Sequence, residues 1–331
     1  MIARMGQSEN RRLFGDVRAR ALHPNYQMLR DSPYHGSARK LMENLYDRMG
    51  DPDGNFVQEF QTHGFHSRLF ELGCFAYLDS VGYAIDRTKS QPDFLASKDG
   101  IAVALEATAA NPTEGQSKDI AASRMKPWTQ EEAIANVGRE FPRRMLSVLT
   151  KKLEKRYDLL PHCHGKPLVF AVAPFFEPGA VFHVDVALAP CLFRGLQSDA
   201  NQEAIQPLFS VPGSEAISAV LFCNQFTVSR FLRLASSGSI KKGAGTRSGF
   251  AYTSGANGQS TFAEYEFDLS NETGPGEDWA QGVTLFHNPN ATTKLQHGVL
   301  PCTSEFKVSG RHLVREVHAF HPLTMTMVMV G

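Results

Sequence analysis

The segment spanning residues 82–111, GYAIDRTKSQPDFLASKDGIAVALEATAAN, constrains this chain more than any other. It closes on IAVALEATAA, an apolar run of strand length with one charged side chain, Glu106. Side chains alternate along a strand, so Val103, Leu105 and Ala107 face one way and Ala102, Ala104 and Glu106 the other. A carboxylate set into such a strand is costly to bury unless a metal, a proton or a cation compensates it. Two shorter runs precede it, residues 83–87 and a run opened by Pro92-Asp93-Phe94-Leu95, with a turn at Lys98-Asp99-Gly100. The three runs read as a β-meander. Asp93 is then the second carboxylate beside the strand, and two acids meeting at strand ends suit a hard divalent cation.

Around this segment the chain has 331 residues, 42% of them hydrophobic, enough for one large domain or two modest ones. Its formal charge is zero, which argues against a protein that coats polyanions in bulk but is compatible with a local basic groove. The five cysteines are scattered and odd in number, as expected of reduced thiols in a cytoplasmic protein. No apolar leader and no run of membrane-spanning length is present, so no membrane partner is expected.

In chain order, residues 1–55 read as a helical N-terminal arm, with an amphipathic helix over 38–49. Residues 56–81 are helical, carry Glu71, and stop at Gly82. After the meander comes a small polar loop over 112–126. Residues 129–158 form the longest helical pattern, opened by a Thr129–Glu132 capping box and kinked or broken at Pro142. One face of it carries Arg139, Arg143, Arg144, Lys151, Lys155 and Arg156. Residues 167–172 are a further buried strand. Residues 181–193 fit helix or strand equally, and β-like runs recur at 215–224, 283–286 and 325–330. Residues 230–250 are basic without an acid, residues 264–278 are acidic, and 235–250 reads as a mobile basic loop. The fold class is mixed α/β, or α+β, with a core over 56–200 and a β-rich C-terminal extension over 201–331.

Helix, meander, helix, strand is the order of the PD-(D/E)xK, or restriction endonuclease-like, nuclease superfamily, and residues 56–174 resemble it. Glu71 matches the glutamate that such proteins often carry on the first helix, Pro92-Asp93 the proline–aspartate, and Glu106-Ala107-Thr108 the acidic-x-lysine motif, with Thr108 in place of the lysine. The resemblance implies a Mg²⁺- or Mn²⁺-dependent nuclease, a hydrolase of phosphodiester bonds, DNA before RNA. Glu71, Asp93 and Glu106 would be its metal ligands, and Asp93, Glu106, Thr108 and Lys152 its catalytic set. Lys152, on the following helix, would stand in for the missing lysine, with Lys151 as second choice. Arg139, Arg143, Arg144, Lys155, Lys241 and Lys242 would hold the nucleic acid backbone. Without a working lysine, the same fold would bind nucleic acid or a partner protein without cutting, and a homodimer is left open.

On the residues alone, Glu71 fits a solvated helix equally well, Asp93 an ordinary turn, Lys152 a snorkelling surface lysine and the arginine row a solvated face. Glu106 is the hardest to dismiss. The histidines (His63 and His66, His162 and His164, His183) show no structural zinc spacing. No Walker, G-x-S-x-G or H-E-x-x-H motif occurs.

Overall fold

The computed structural model describes residues 12–15, 21–112, 129–177, 179–194, 206–237, 239–254, 259–270 and 274–329. Most of the polar loop expected over 112–126 lies outside these residues, as does Glu272 of the acidic stretch. Among the described residues, no helix is long and apolar enough to cross a membrane.

The chain opens with α1 (Pro24–Asp31), α2 (Gly36–Met49), α3 (Phe56–Gln61) and α4 (Phe65–Ser80). Of the segment read as an N-terminal arm over 1–55, Ala38, Met42, Leu45 and Met49 of α2 join the main core. Gly82 does stop α4. At φ 83° it adopts the left-handed conformation that glycine tolerates, and Tyr83 N–H reaches back to the Leu78 carbonyl at 3.1 Å. Inside α4, Gly73 leaves room for Phe226, whose ring a Cβ would meet at 2.7 Å.

The meander follows as β1 (Ala84–Asp86), β2 (Phe94–Lys98) and β3 (Ile101–Ala110), antiparallel throughout. The long helical pattern resolves into α5 (Gln130–Ala135), a π turn over Asn136–Glu140 and α6 (Phe141–Leu153). The capping box forms, with Glu132 N–H on Thr129 Oγ1 at 3.2 Å and Thr129 N–H on Glu132 Oε2 at 2.8 Å. Pro142 directly follows the π turn, so the helix continues past the proline and the irregularity falls in that turn.

β4 (Leu168–Pro174) pairs parallel to β3. The ambiguous segment becomes α7 (Asp185–Phe193), and β5 (Ala219–Phe222) pairs parallel to β4. α8 (Val228–Ser236), β6 (Gly245–Ser254) and β7 (Ser260–Asp268) precede β8 (Thr284–His287), β9 (Ser304–Ser309) and β10 (His312–Val317). β11 (His321–Pro322) and β12 (Thr326–Met329) end the chain. The large sheet runs β1-β2-β3-β4-β5-β8-β9-β10, and the small one joins β11, β6, β7 and β12. The segment expected as an extension over 201–331 thus supplies half the large sheet, so a boundary near residue 200 cuts through one core. The loop expected over 235–250 is shorter, since its last residues belong to β6.

Alternation places the layers. Val103, Leu105, Val169, Ala171 and Leu221 pack with α2, α4 and α8. Ala104, Phe170, Val172 and Val220 pack with Met145, Leu149, Leu188 and Leu192 of α6 and α7. β4 is buried along its whole length, as a central strand covered on both faces must be. A buried polar network ties the small sheet to the large one. Asp185 accepts from Thr284 Oγ1 at 2.7 Å and from Arg315 at 2.8 Å, and His321 lies 3.2 Å away.

Candidate active site

Glu106 projects from β3 on the α6 face, as its place between Ala104 and Thr108 requires. It is 4% exposed, so its charge needs local compensation. Lys152 supplies it, with Nζ 2.5 Å from Glu106 Oε1. On α6, Lys152 lies one turn beyond the buried Leu149, so its stem runs along the sheet, whereas Lys151 is exposed. Of the two lysines, the helix brings Lys152 to the carboxylate.

Asp93 precedes β2 and stands opposite Glu106, one step beyond the Phe94–Leu105 pair. The two residues are cross-linked. Asp93 N–H donates to Glu106 Oε2 at 3.2 Å, and Asp93 Oδ2 accepts from Ala107 N–H at 2.8 Å. Burial pushes the Asp93 carboxyl well above the usual carboxylate range, and the charges of Glu71 and Glu106 push it further. The Ala107 N–H and the Lys152 charge offset only part of this.

Glu71 on α4 stands beside this pair, but both its oxygens are engaged. Arg68 donates to Oε2 at 2.5 Å and Arg87 to Oε1 at 2.7 Å. It is therefore not a solvated helix residue, because two guanidinium groups hold it. Nor do Glu71, Asp93 and Glu106 each offer an oxygen within 4.8 Å of the others. Among the described residues that test is met elsewhere, by His297, Glu305 and His318. A cation at this site would have Asp93 and Glu106 as its carboxylates.

Thr108 is half-buried on the same face as Glu106, two residues along β3. Three neighbours were not visible in the sequence reading: Arg68, Arg87 and Tyr157. Tyr157 is buried in the short turn that follows α6, its ring edge-on to Phe170, and its phenol is pushed up first by burial and then by Glu106. An arginine three residues before Glu71 was the one available clue.

The basic residues divide. Arg139, Arg143 and Lys155 are exposed, although Arg143 also pairs with Glu140 at 3.2 Å. Arg144 turns inward, donating to the Asn111 carbonyl at 3.1 Å and lying over the Phe176 ring. Lys241 and Lys242 are exposed between α8 and β6. The rest of the 230–250 basic segment is not a phosphate surface: Arg230, Arg233 and Arg247 are buried around Glu277 at 2.8, 2.7 and 3.5 Å. One acid of the acidic stretch, Glu277, supplies this counter-charge, whereas Glu264, Glu266 and Asp278 are exposed. A cavity of about 300 Å³ lies elsewhere, between α4, α8 and the last strand, and is lined by His66, Phe175 and Arg233.

No protein-family model, curated protein or solved structure matches this chain.

Proposed function

We propose that the protein is a divalent-metal-dependent nuclease of restriction endonuclease-like fold, hydrolysing phosphodiester bonds, with DNA as the leading substrate. The observation that carries this reading is the Asp93–Glu106 pair, cross-linked at the β2–β3 edge and met from α6 by Lys152. The order α4, β1, β2, β3, α6, β4 supports the restriction endonuclease-like core.

The donor set fits Mg²⁺ or Mn²⁺. Such ions take hard oxygen ligands and are commonly held by one or two carboxylates, with water and substrate phosphate completing the shell. An Asp93 carboxyl raised by burial and then by two like charges is a group that a cation would relieve. When bound, the ion supplies activation of water and neutralisation of charge at phosphorus.

The chain's own residues do the rest. Glu106 and Asp93 orient the acidic edge, Glu106 through the Asp93 N–H and Asp93 through the Ala107 N–H. Lys152 offsets negative charge at Glu106 and is placed to do so for a developing phosphorane. Thr108 is a hydroxyl on the same face, within the segment where a water would be positioned. Arg68 and Arg87 hold the two oxygens of Glu71 beside Asp93, which makes Glu71 a positioning residue. Arg139, Arg143, Lys155, Lys241 and Lys242 offer the exposed charge for the nucleic acid backbone.

Thr108 in the motif-lysine position favours a second reading, a nuclease-like domain that binds nucleic acid or a partner protein without cutting it. Incubation with supercoiled DNA, single-stranded DNA and RNA, with Mg²⁺ or Mn²⁺ and with EDTA, separates the two. Metal-dependent cleavage that disappears in Glu106→Ala supports the first. Cleavage that persists in that variant overturns it, and salt-sensitive binding without cleavage selects the second.

A further inference from the structure

On the far side of the large sheet from Asp93, a second buried carboxylate is surrounded by imidazoles. Glu305 of β9 is 1% exposed. His287, at the end of β8, holds its Oε2 with Nε2 at 3.0 Å. The other oxygen, Oε1, is buried and accepts no hydrogen bond of ordinary geometry. Yet His297 Nδ1 stands 2.8 Å from it and His318 Nε2 3.2 Å. His297 comes from the connection between β8 and β9, and His318 from the residue after β10, where its N–H is anchored on the Thr303 carbonyl at 3.0 Å.

Three ligand atoms thus lie within 4.8 Å of one another around an oxygen with no hydrogen bond. Ligands of a zinc-class ion sit about 2.0–2.2 Å from the metal, so two of them are at most about 4.4 Å apart. Small rotations of the two outer rings satisfy that limit. Imidazole nitrogen with a single carboxylate suits zinc, cobalt or nickel rather than Mg²⁺ or Ca²⁺, which prefer all-oxygen shells. An orienting partner on the carboxylate's second oxygen is what such sites require, and His287 provides it. Entry is open, because the His297 side chain is 69% exposed.

We propose that His297, Glu305 and His318 form a binding site for one divalent transition-metal ion of the zinc class, with His287 fixing the orientation of Glu305. Three protein ligands leave a fourth position for water or another ligand. The ion would fasten the β8–β9 connection and the end of β10 onto β9. This site shares no residue with the Asp93–Glu106 edge and stands independently of the nuclease reading.

The test uses the full chain, stripped with EDTA and dialysed. Titration with Co²⁺ should produce the visible absorption bands of a low-coordinate cobalt site, saturating at one equivalent. Zn²⁺ should displace the cobalt and excess Mg²⁺ should not. Zn²⁺ should also raise the Tm of the stripped protein. His297→Ala and His318→Ala, both at outward-facing rings, should each weaken binding at least tenfold, and His287→Ala should weaken it about tenfold. Circular dichroism identifies any variant that fails to fold. Absence of both the cobalt bands and the Tm shift would overturn the site, leaving a cluster of histidines packed around Glu305. So would binding that is indifferent to His297→Ala and His318→Ala together.

Discussion

Two buried acids in this molecule, Glu277 and Asp93, are the same kind of group held in opposite ways. Glu277 is ringed by Arg230, Arg233 and Arg247, and the first two make contacts of 2.8 and 2.7 Å. Arg230 and Arg247 spend further donors on the carbonyls of Gln281 and Pro275. Burial alone would raise the Glu277 carboxyl, but the arginines hold it down at about 2. Asp93 has no arginine of its own. Its neighbours are two more acids, and it is raised where Glu277 is lowered. Oversupplied with cations, Glu277 is a fastening between α8, β6 and the acidic stretch. Asp93 is buried among like charges that Lys152 offsets only in part, so its charged form is disfavoured and either a proton or an outside cation relieves it. Burial therefore does not mark a functional carboxylate in this protein; the balance of charge around it does.

The largest effect should come from breaking the saturated end of the comparison. Glu277→Ala leaves three arginines facing one another without their counter-ion, and removing one partner of a buried ion pair costs about 3–5 kcal/mol. Urea unfolding should show a loss of that order. A loss below about 1 kcal/mol would mean that the arginines find water, and that the cluster is not a fastening. Glu106→Ala should behave in the reverse manner. Removing a group that acts on developing charge costs about 10²–10³-fold in rate, so cleavage should fall by that much. Circular dichroism and Tm should move far less than in Glu277→Ala.

Acid titration sharpens the same contrast. A carboxyl whose folded value is depressed contributes stability that is present above its unfolded value and is lost as pH falls through the folded one. For Glu277 the window runs from its ordinary 4.5 down to about 2. At about 1.4 kcal/mol per unit this amounts to about 3 kcal/mol, in line with the mutational figure. Asp93, raised when folded, acts in the opposite sense: its contribution is fully present below the unfolded value and is lost as pH rises through the folded one. Stability measured by urea from pH 6 to pH 2 should therefore fall steeply on the acid side in the wild type. Asp93→Asn should gain stability at neutral pH, by about 1 kcal/mol if one like-charge contact is relieved. It should lose any stabilisation by Mg²⁺. A neutral-pH loss in Asp93→Asn would show that its bond from Ala107 N–H outweighs the repulsion.

The legibility of these two regions differs for physical reasons. Glu106 stood out because an apolar strand with one acid is rare and local, and the Gly82 stop and the Thr129–Glu132 cap were equally local. Lys152 could be placed because helical spacing set it beside Leu149. What stayed hidden was pairing at a distance. Arg87 reaches Glu71 across 16 residues, and Arg230 reaches Glu277 across 47. A basic stretch and an acidic stretch look like two solvated surfaces until the fold stacks them. β7 was missed because it is largely exposed, which leaves little hydrophobic alternation to detect. The histidines around Glu305 escaped because three segments bring them together, and no spacing within one segment announces that.

The smallest effect tests which cations remain available to a ligand. Arg230, Arg233 and Arg247 pair with Glu277, whereas Lys241 and Lys242 are exposed among the described basic residues between 230 and 250, with Lys242 near Asp268. Each phosphate contact adds about 0.9 to the slope of log binding constant against log salt for duplex DNA. Lys241→Ala with Lys242→Ala should therefore lower that slope by up to about 2 and weaken binding evenly across DNA sequences, without changing Tm. Arg233→Lys keeps the charge on Glu277 and should leave the slope where it was. If the slope instead follows Arg233 and ignores the two lysines, the arginines exchange Glu277 for phosphate when nucleic acid binds. The saturated cluster would then be the binding surface, and the contrast with Asp93 would hold only for the free protein.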